Sequence, residues 1–405
     1  MEQFVIVGGG LAAHQSVRSI MQTRPDARIT MVSAERHLPY DRPHLSKGFL
    51  TGENPEPQHL PDSNIYAQPC LQVLNSTRAE EIDRAGSRIR LDNGENLDYD
   101  RLILATGSRV RYLPADLVTT PVHYLRTVDD ALAIRARLVD GAAVVVVGGG
   151  FIGLEVAAAA RLRRCRVTVI EPQQQLLTRT GSAALSCWVA SLHRAHGVDI
   201  QLGTRVLSID QDAGGKTRVA TSAGHVLADI VVVGIGVLPN VELAASCGLC
   251  VDDGIVVDET CVTCDPQIFA AGEVSRYPIA HLGESARTES WAAASDQGSI
   301  AGRAAAGDAF ATYSEMPWLW SDQYSSSLQC IGLTRLARTY SFIGDPGADQ
   351  WLALGWNQQQ LVCAIAANRG RDVSAIRRAL KRNAALPDIY LSTISSATPD
   401  FIGNR

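Results

Sequence analysis

The chain has 405 residues, enough for two or three domains with a core each, and its 46% hydrophobic and 20% charged content is that of a globular protein. Its apolar runs are short and broken by glycine, which argues against a membrane span, and the net charge of −5 argues against a nucleic-acid or anionic-membrane binder. Nine scattered cysteines fit free thiols better than disulfides, and the first residues enter a strand at once, so a cytoplasmic protein is expected.

Phe4 to Val7 is an apolar run that meets Gly8 and Gly10, with Ala13 in the third small position. Leu11 to Met21 then reads as a helix, and Ile29 to Val32 as a strand leading to Glu35. Strand, tight turn, helix and acid-tipped strand make a dinucleotide site: the glycines let backbone approach a pyrophosphate at the helix N-terminus, and the acid bonds a ribose. Residues 37–50, HLPYDRPHLSKGFL, cannot be regular throughout, because Pro39 and Pro43 fix φ and remove donors. Arg42 and Lys47 carry the chemistry of this loop, as cations that balance charge on a ring or pair with a carboxylate, or else they are solvated surface charges. Leu102 to Thr106 is a further buried strand closing on Gly107, and Val128 to Leu138 a helical run.

From Ala142 to Glu171 the device returns: AAVVVVGGGFIGLEVAAAARLRRCRVTVIE. Gly148 makes the turn, Gly150 admits the pyrophosphate, Gly153 lets helix and strand pack closely, and Glu171 bonds the ribose hydroxyls. Two dinucleotide sites in one chain suggest a bound flavin and a visiting nicotinamide, hence electron transfer. The unit closes on ADIVVVGIGVLPN, where Gly234 and Gly236 let backbone lie against the nicotinamide. Ile268 to Ala271 leads into Gly272 and Glu273, whose carboxylate can reach a ribitol hydroxyl, and Ala292 to Gly307 reads as a helix. Cys261 and Cys264 form a C-x-x-C without a helix start beside it or a second such pair for zinc, and we expect no metal.

The expected organisation is α/β: a discontinuous flavin-binding domain (1–114 and 235–311), a nicotinamide-binding insertion (115–234) and a C-terminal domain (312–405) of antiparallel sheet with appended helices. The last part carries PWLWSDQ at 317–323, in which Trp318 and Trp320 are core residues or walls for a planar ring. It also holds Arg369, Arg371, Arg377, Arg378, Lys381 and Arg382 against one acid, Asp372, a local charge of +5 that is either a solvated helix face or a docking surface.

The stretches VGGGLAA, HLPYDRPHLSK, LILATGS, GGGFIGLE, VVVGIGV, DPQIFAAGE, RTESWAAASDQG and PWLWSDQ resemble, in order and spacing over nearly the whole chain, the NADH-dependent, FAD-containing ferredoxin reductases of bacterial aromatic ring-hydroxylating dioxygenases, those for phenylpropionate and cinnamate in particular. The resemblance implies a glutathione-reductase-like fold with two Rossmann-type domains and a C-terminal α+β domain. It implies that Gly8, Gly10 and Ala12 meet the FAD pyrophosphate, Glu35 the adenosine ribose and Ala79 the adenine. Arg42, Lys47, Arg126, Glu273 and Trp291 would serve the rest of FAD; Phe151, Glu155, Glu171, Arg179 and the turn from Gly234 to Gly236 would serve NADH. Lys47 and Glu155 look like the pair beside the flavin N5 and the nicotinamide, with Trp320 on the ring's other side. Three departures from the pattern stand out: Glu273 replaces the usual Asp, His44 the usual Pro, and Cys261 and Cys264 stand where varied residues occur and read as structural.

The implied reaction passes a hydride from NADH to FAD, oriented by Glu155 with Lys47 offsetting the developing charge, and then single electrons to a [2Fe-2S] ferredoxin docked near the basic segment. Glu171, with no arginine directly after it, favours NADH over NADPH because a carboxylate repels a 2′-phosphate. The same residues leave room for a reductase serving a P450-type ferredoxin or a rubredoxin, and for an NADH-sensing flavoprotein. Disulfide reductases and NADH oxidases need a reactive cysteine near the flavin, and none is visible around Lys47.

Overall fold

A computed structural model of the chain describes residues 1–52 and 55–382. The fold consists of two compact units, one assembled from Met1–Asp41, Gln58–Arg109 and Leu238–Leu319, the other from 42–52, 55–57, 110–237 and 320–382.

The first unit is built on a five-stranded parallel sheet in the order Ile268–Ala270, Arg101–Leu104, Gln3–Val7, Arg28–Val32, Leu71–Leu74. The strands read as continuous apolar runs because helices and loops cover both faces: Phe4, Val5, Ile6, Met31, Leu102, Ile103 and Leu104 are all buried. Helix Leu11–Thr23 lies against helix Trp291–Ala305, and glycine makes that approach possible. A Cβ on Gly298 would collide with the Ala12 carbonyl, and one on Gly302 would lie 2.6 Å from the Ser16 carbonyl oxygen. In the space so gained, the Ser16 hydroxyl donates 2.9 Å to the Gly298 carbonyl.

The second unit repeats the plan, with parallel strands in the order Val198–Gln201, Arg166–Ile170, Ala143–Val147, Ile230–Val233, His123–Tyr124. In both sheets the strand that feeds the glycine turn is the central one, so each turn emerges at mid-sheet at a carboxyl end, where open α/β sheets bind ligands. A meander of Val206–Gln211, Thr217–Thr221 and Gly224–Ala228 closes one face with Ile209, Val219 and Ala228, which pack on Val145, Val147, Ile170, Val231 and Val233. The same unit carries the expected antiparallel sheet, ordered Trp318–Gln323, Ser326–Gly332, Gln360–Ala367, Trp351–Asn357, Thr339–Ile343. Helix Gly370–Arg382 covers it, burying Val373, Ile376, Ala379 and Leu380 and exposing Arg371 and Arg378 on the other side. Among the described residues no helix is long and apolar enough to cross a membrane.

Two glycine turns and a buried Lys47–Glu155 pair

In the first unit Gly8 sits at φ +143°, and a Cβ there would run into the Ala105 carbonyl. Gly10 differs: it is the N-cap of helix Leu11–Thr23, and a Cβ on it would meet nothing within 4 Å. That helix has no side-chain cap and no acid in its first turn. Helices Val128–Arg137, Ala183–Ala195 and Trp291–Ala305 are instead capped by Thr127, Ser182 and Ser290. A helix start with free N–H donors, no competing carboxylate and open space is the environment a pyrophosphate requires.

Around it, Glu35 is half-buried and its Oε2 accepts from the Tyr40 hydroxyl at 2.6 Å. Ala79 is half-buried at the start of strand Ala79–Asp83, and Ala12 is buried beneath Gly272, whose φ is +86°. Glu273 is half-buried, and its backbone carbonyl accepts from Arg287 at 3.4 Å. Trp291 Nε1 donates to Asp41 at 2.8 Å. Buried Gln297 accepts the Gly272 N–H at 2.8 Å and the Ser275 hydroxyl at 2.5 Å on Oε1, while its Nε2 has no partner among the described residues. A buried donor left over beside the glycine cradle fits a polar group supplied by a bound FAD.

The second turn follows the same physics. Gly148 has φ +109°, with a Cβ position 2.5 Å from the Gly234 carbonyl oxygen; a Cβ on Gly153 would strike the Gly148 carbonyl. Gly150 begins helix Phe151–Leu162 without a side-chain cap or first-turn acid, and its Cβ position is open except for Gly234 O at 3.8 Å. Gly236, at φ +103°, also faces open space. Glu171 accepts the Gly149 N–H at 2.7 Å on Oε2 and the Gln173 N–H at 2.9 Å on Oε1. Each oxygen keeps a lone pair for a ribose hydroxyl, so the acid both braces the turn and fits NADH. Phe151 is half-buried in the first helical turn, and Arg179 is exposed on the short 3-10 turn Thr178–Thr180.

The proline-rich loop folds as a 3-10 turn, Arg42–Ser46, and a short helix, Gly48–Thr51. Arg135 Nη1 pins it through the carbonyls of Phe49 (2.9 Å) and Leu50 (3.0 Å), and Arg163 also reaches Leu50 O at 3.3 Å. Burial, followed by the neighbouring Arg163 charge, lowers the pKa of Arg135. Arg42 Nη1 donates 2.5 Å to the Arg126 carbonyl, which joins two of the expected flavin-side arginines. His44 packs edge-on to Phe49.

This bracing delivers Lys47 Nζ to 2.8 Å from Glu155 Oε2. Glu155, only 3% exposed, lies in the second turn of helix Phe151–Leu162 and is held by three donors. Lys47 and the Ser46 hydroxyl share Oε2, and the Ser321 hydroxyl donates 2.6 Å to Oε1. Trp320, next to Ser321, is half-buried. Sequence reasoning singled out Lys47 and Glu155 but not Ser46 or Ser321, whose only signal was adjacency to Lys47 and Trp320. Cys261 is buried at φ +65° with its thiol 3.8 Å from the Gln297 carbonyl, whereas Cys264 is exposed; both are free.

Residues 2–298 match the pyridine nucleotide-disulphide oxidoreductase family, and 318–395 match the reductase C-terminal family. The chain belongs to the pyridine nucleotide-disulphide oxidoreductases, with the two-Rossmann architecture expected from the sequence. It is 46% identical over 390 residues to the anthranilate 1,2-dioxygenase system ferredoxin–NAD(+) reductase component of Burkholderia cepacia, covering 96% of each chain. To the 3-phenylpropionate/cinnamic acid dioxygenase ferredoxin–NAD(+) reductase component of Photorhabdus laumondii it is 33% identical, over 94% of this chain and 96% of the other. Among solved structures it superposes on a chain of the covalent putidaredoxin reductase–putidaredoxin complex with a TM-score of 0.89 and 31% identity, over 98% of this chain and 96% of that one.

Proposed function

We propose that the protein is an NADH-dependent, FAD-containing reductase that supplies electrons to a [2Fe-2S] ferredoxin of an aromatic ring-hydroxylating dioxygenase system. The observation that carries this reading is the pair of uncapped, glycine-started helices, each at the carboxyl end of its own parallel sheet and each backed by an acid-tipped second strand. Bound FAD would accept the electron pair of one hydride and release it as two single electrons and a proton.

The protein's own part is to bind and align. Gly8, Gly10, Ala12, Glu35, Ala79, Arg42, Arg126, Glu273 and Trp291 are assigned to FAD, and Gly148, Gly150, Gly153, Phe151, Glu171, Arg179, Gly234 and Gly236 to NADH, with Trp320 as a ring wall. Glu155 orients the nicotinamide carboxamide, and Lys47 offsets negative charge that develops on the ring. The proposed domains remain 1–114 with 235–311 for FAD, 115–234 for NADH and 312–405 at the C-terminus, in a cytoplasmic protein. Relatives named for dioxygenase systems support the partner class.

For ferredoxin docking we favour the outer face of helix Gly370–Arg382. Arg369 is spent on Asp372 at 2.7 Å, which leaves Arg371 and Arg378 as its exposed cations; the side chains of Lys381 and Arg382 lie outside the described residues. Reversing both charges (R371E/R378E) should raise the KM for an acidic ferredoxin about tenfold and flatten its salt dependence, without changing reduction by NADH. The reading itself is tested by NADH-driven reduction of a dioxygenase-type ferredoxin. Turnover with NADH and ferredoxin supports it; NADH consumption that ignores ferredoxin overturns it.

A further inference from the structure

The hydrogen bonding of Glu155 does not end at Ser321. The Ser321 hydroxyl, having donated to the carboxylate, accepts from Gln323 Nε2 at 3.0 Å. Gln323 Oε1 lies 2.7 Å from His193 Nε2, and the Tyr324 hydroxyl lies 3.3 Å from His193 Nδ1. Ser321 and His193 are 0% exposed and Gln323 is 1% exposed. These residues come from helix Ala183–Ala195 and strand Trp318–Gln323, so the chain of bonds ties two distant elements to helix Phe151–Leu162.

Only one assignment of protons satisfies every member. Gln323 Oε1 can only accept, so His193 Nε2 must carry a proton, and a neutral ring then presents Nδ1 to the Tyr324 hydroxyl. Flipping the Gln323 amide would make Ser321 a donor to Gln323 and strip Glu155 Oε1 of its bond. The donors therefore run one way: Tyr324 to His193, to Gln323, to Ser321, to Glu155. Burial lowers the His193 pKa to about 4, which keeps the ring neutral and the direction fixed at physiological pH. Exposed His196 stacks on Tyr324 at 3.6 Å and closes the outer end of the chain.

We propose that His193, Gln323 and Ser321 are positioning residues for Glu155: a buried one-way chain of donors fixes the carboxylate rotamer and, through it, the Lys47 ammonium. The inference rests on the assignment of Glu155 to the NADH side. A carboxylate held from only one oxygen can rotate, and misalignment lowers the rate of hydride transfer more than the affinity for NADH.

The test uses the FAD-loaded protein and has two readouts. In the first, 15N-histidine NMR should show His193, assigned by its loss in His193→Gln, as a neutral Nε2–H tautomer from pH 7 down to about 5, and Gln323→Met should abolish that preference. An Nδ1–H tautomer, or a charged ring at pH 6, would overturn the chain. In the second, Ser321→Ala should slow reduction by NADH about tenfold, equivalent to about 1.4 kcal/mol, while the KM for NADH stays within twofold. Gln323→Met should give a smaller loss, about threefold, because Ser321 keeps its own donor. His193→Gln, which keeps an N–H near the Nε2 position, should retain more activity than His193→Phe. Rates within twofold of wild type in both Ser321→Ala and Gln323→Met, with the NMR signature intact in wild type, would overturn the positioning role. A wild-type protein that shows the signature but is not reduced by NADH would instead overturn the NADH assignment and leave the chain standing.

Discussion

Replacing Lys47 by Met tests how the protein keeps a carboxylate out of water. Glu155 is 3% exposed, and Lys47 is the cation seen on it, at 2.8 Å; the remaining donors, Ser46 and Ser321, are neutral. Removing one partner of a buried pair costs about 3–5 kcal/mol, because a desolvated charge is left behind. Lys47 keeps 25% of its side chain exposed, so water enters more readily than in a sealed core and the lower part of that range, about 3 kcal/mol, is expected. Thermal unfolding of the FAD-loaded protein should therefore shift down by about 3–6 °C. The diagnostic variant is K47M/E155Q. An amide needs no counter-charge, so the double variant should recover about 2 kcal/mol relative to K47M, a coupling far outside additivity. A K47M protein that melts within 1 °C of wild type, or a double variant whose losses simply add, would refute a desolvated pair.

Other expectations follow from single distances. Gly150→Ala has open space for its Cβ and should fold normally yet lose NADH affinity about tenfold or more, since the methyl takes pyrophosphate space; Gly8→Ala, at φ +143° and against the Ala105 carbonyl, should instead lose folded, FAD-loaded protein on expression. Isothermal titration and flavin content separate the two. His193 supplies a pH dependence: burial, opposed by the Gln323 hydrogen bond and reinforced by His196, lowers its pKa from 6.5 to about 4. The unfolded chain takes up a proton in that window that the folded protein refuses. Stability is therefore fully present above pH 6.5 and falls as pH drops toward 4, by about 3 kcal/mol in total, with the slope lost in His193→Gln on urea titration. Glu171→Ala should raise the KM for NADH about tenfold while narrowing discrimination against NADPH, because the ribose acceptor and the charge that repels a 2′-phosphate leave together.

The two glycine turns were legible because their signal is local: each strand, turn and helix lies within about 30 residues, the span of a βαβ unit. The space around the glycines differs as the roles read for them require, with Gly148 and Gly153 in crowded backbone and Gly150 facing open space. The antiparallel character of the last part was legible too, from short apolar runs alternating with polar turns. The supports of Glu155 were not. Ser321 is 166 residues from it in sequence, and His193 is 130 from Gln323. A serine in W-S-D-Q or a histidine on the inner face of a helix has no local pattern that names its partner. The grouping of 42–52 with the second unit was hidden for the same reason. Within that unit Arg135 and Arg163 reach the carbonyls of Phe49 and Leu50, and backbone acceptors leave no trace in a sequence.

The central claim, two dinucleotide sites serving one electron path to a ferredoxin, is tested most directly by stopped-flow absorbance of the purified yellow protein. NADH alone should bleach the flavin band within milliseconds to seconds, NADPH should do so at least tenfold more slowly, and the band should return rapidly only when a dioxygenase-type [2Fe-2S] ferredoxin is added. A band that NADH leaves unchanged, or that stays bleached in the presence of ferredoxin, would contradict it.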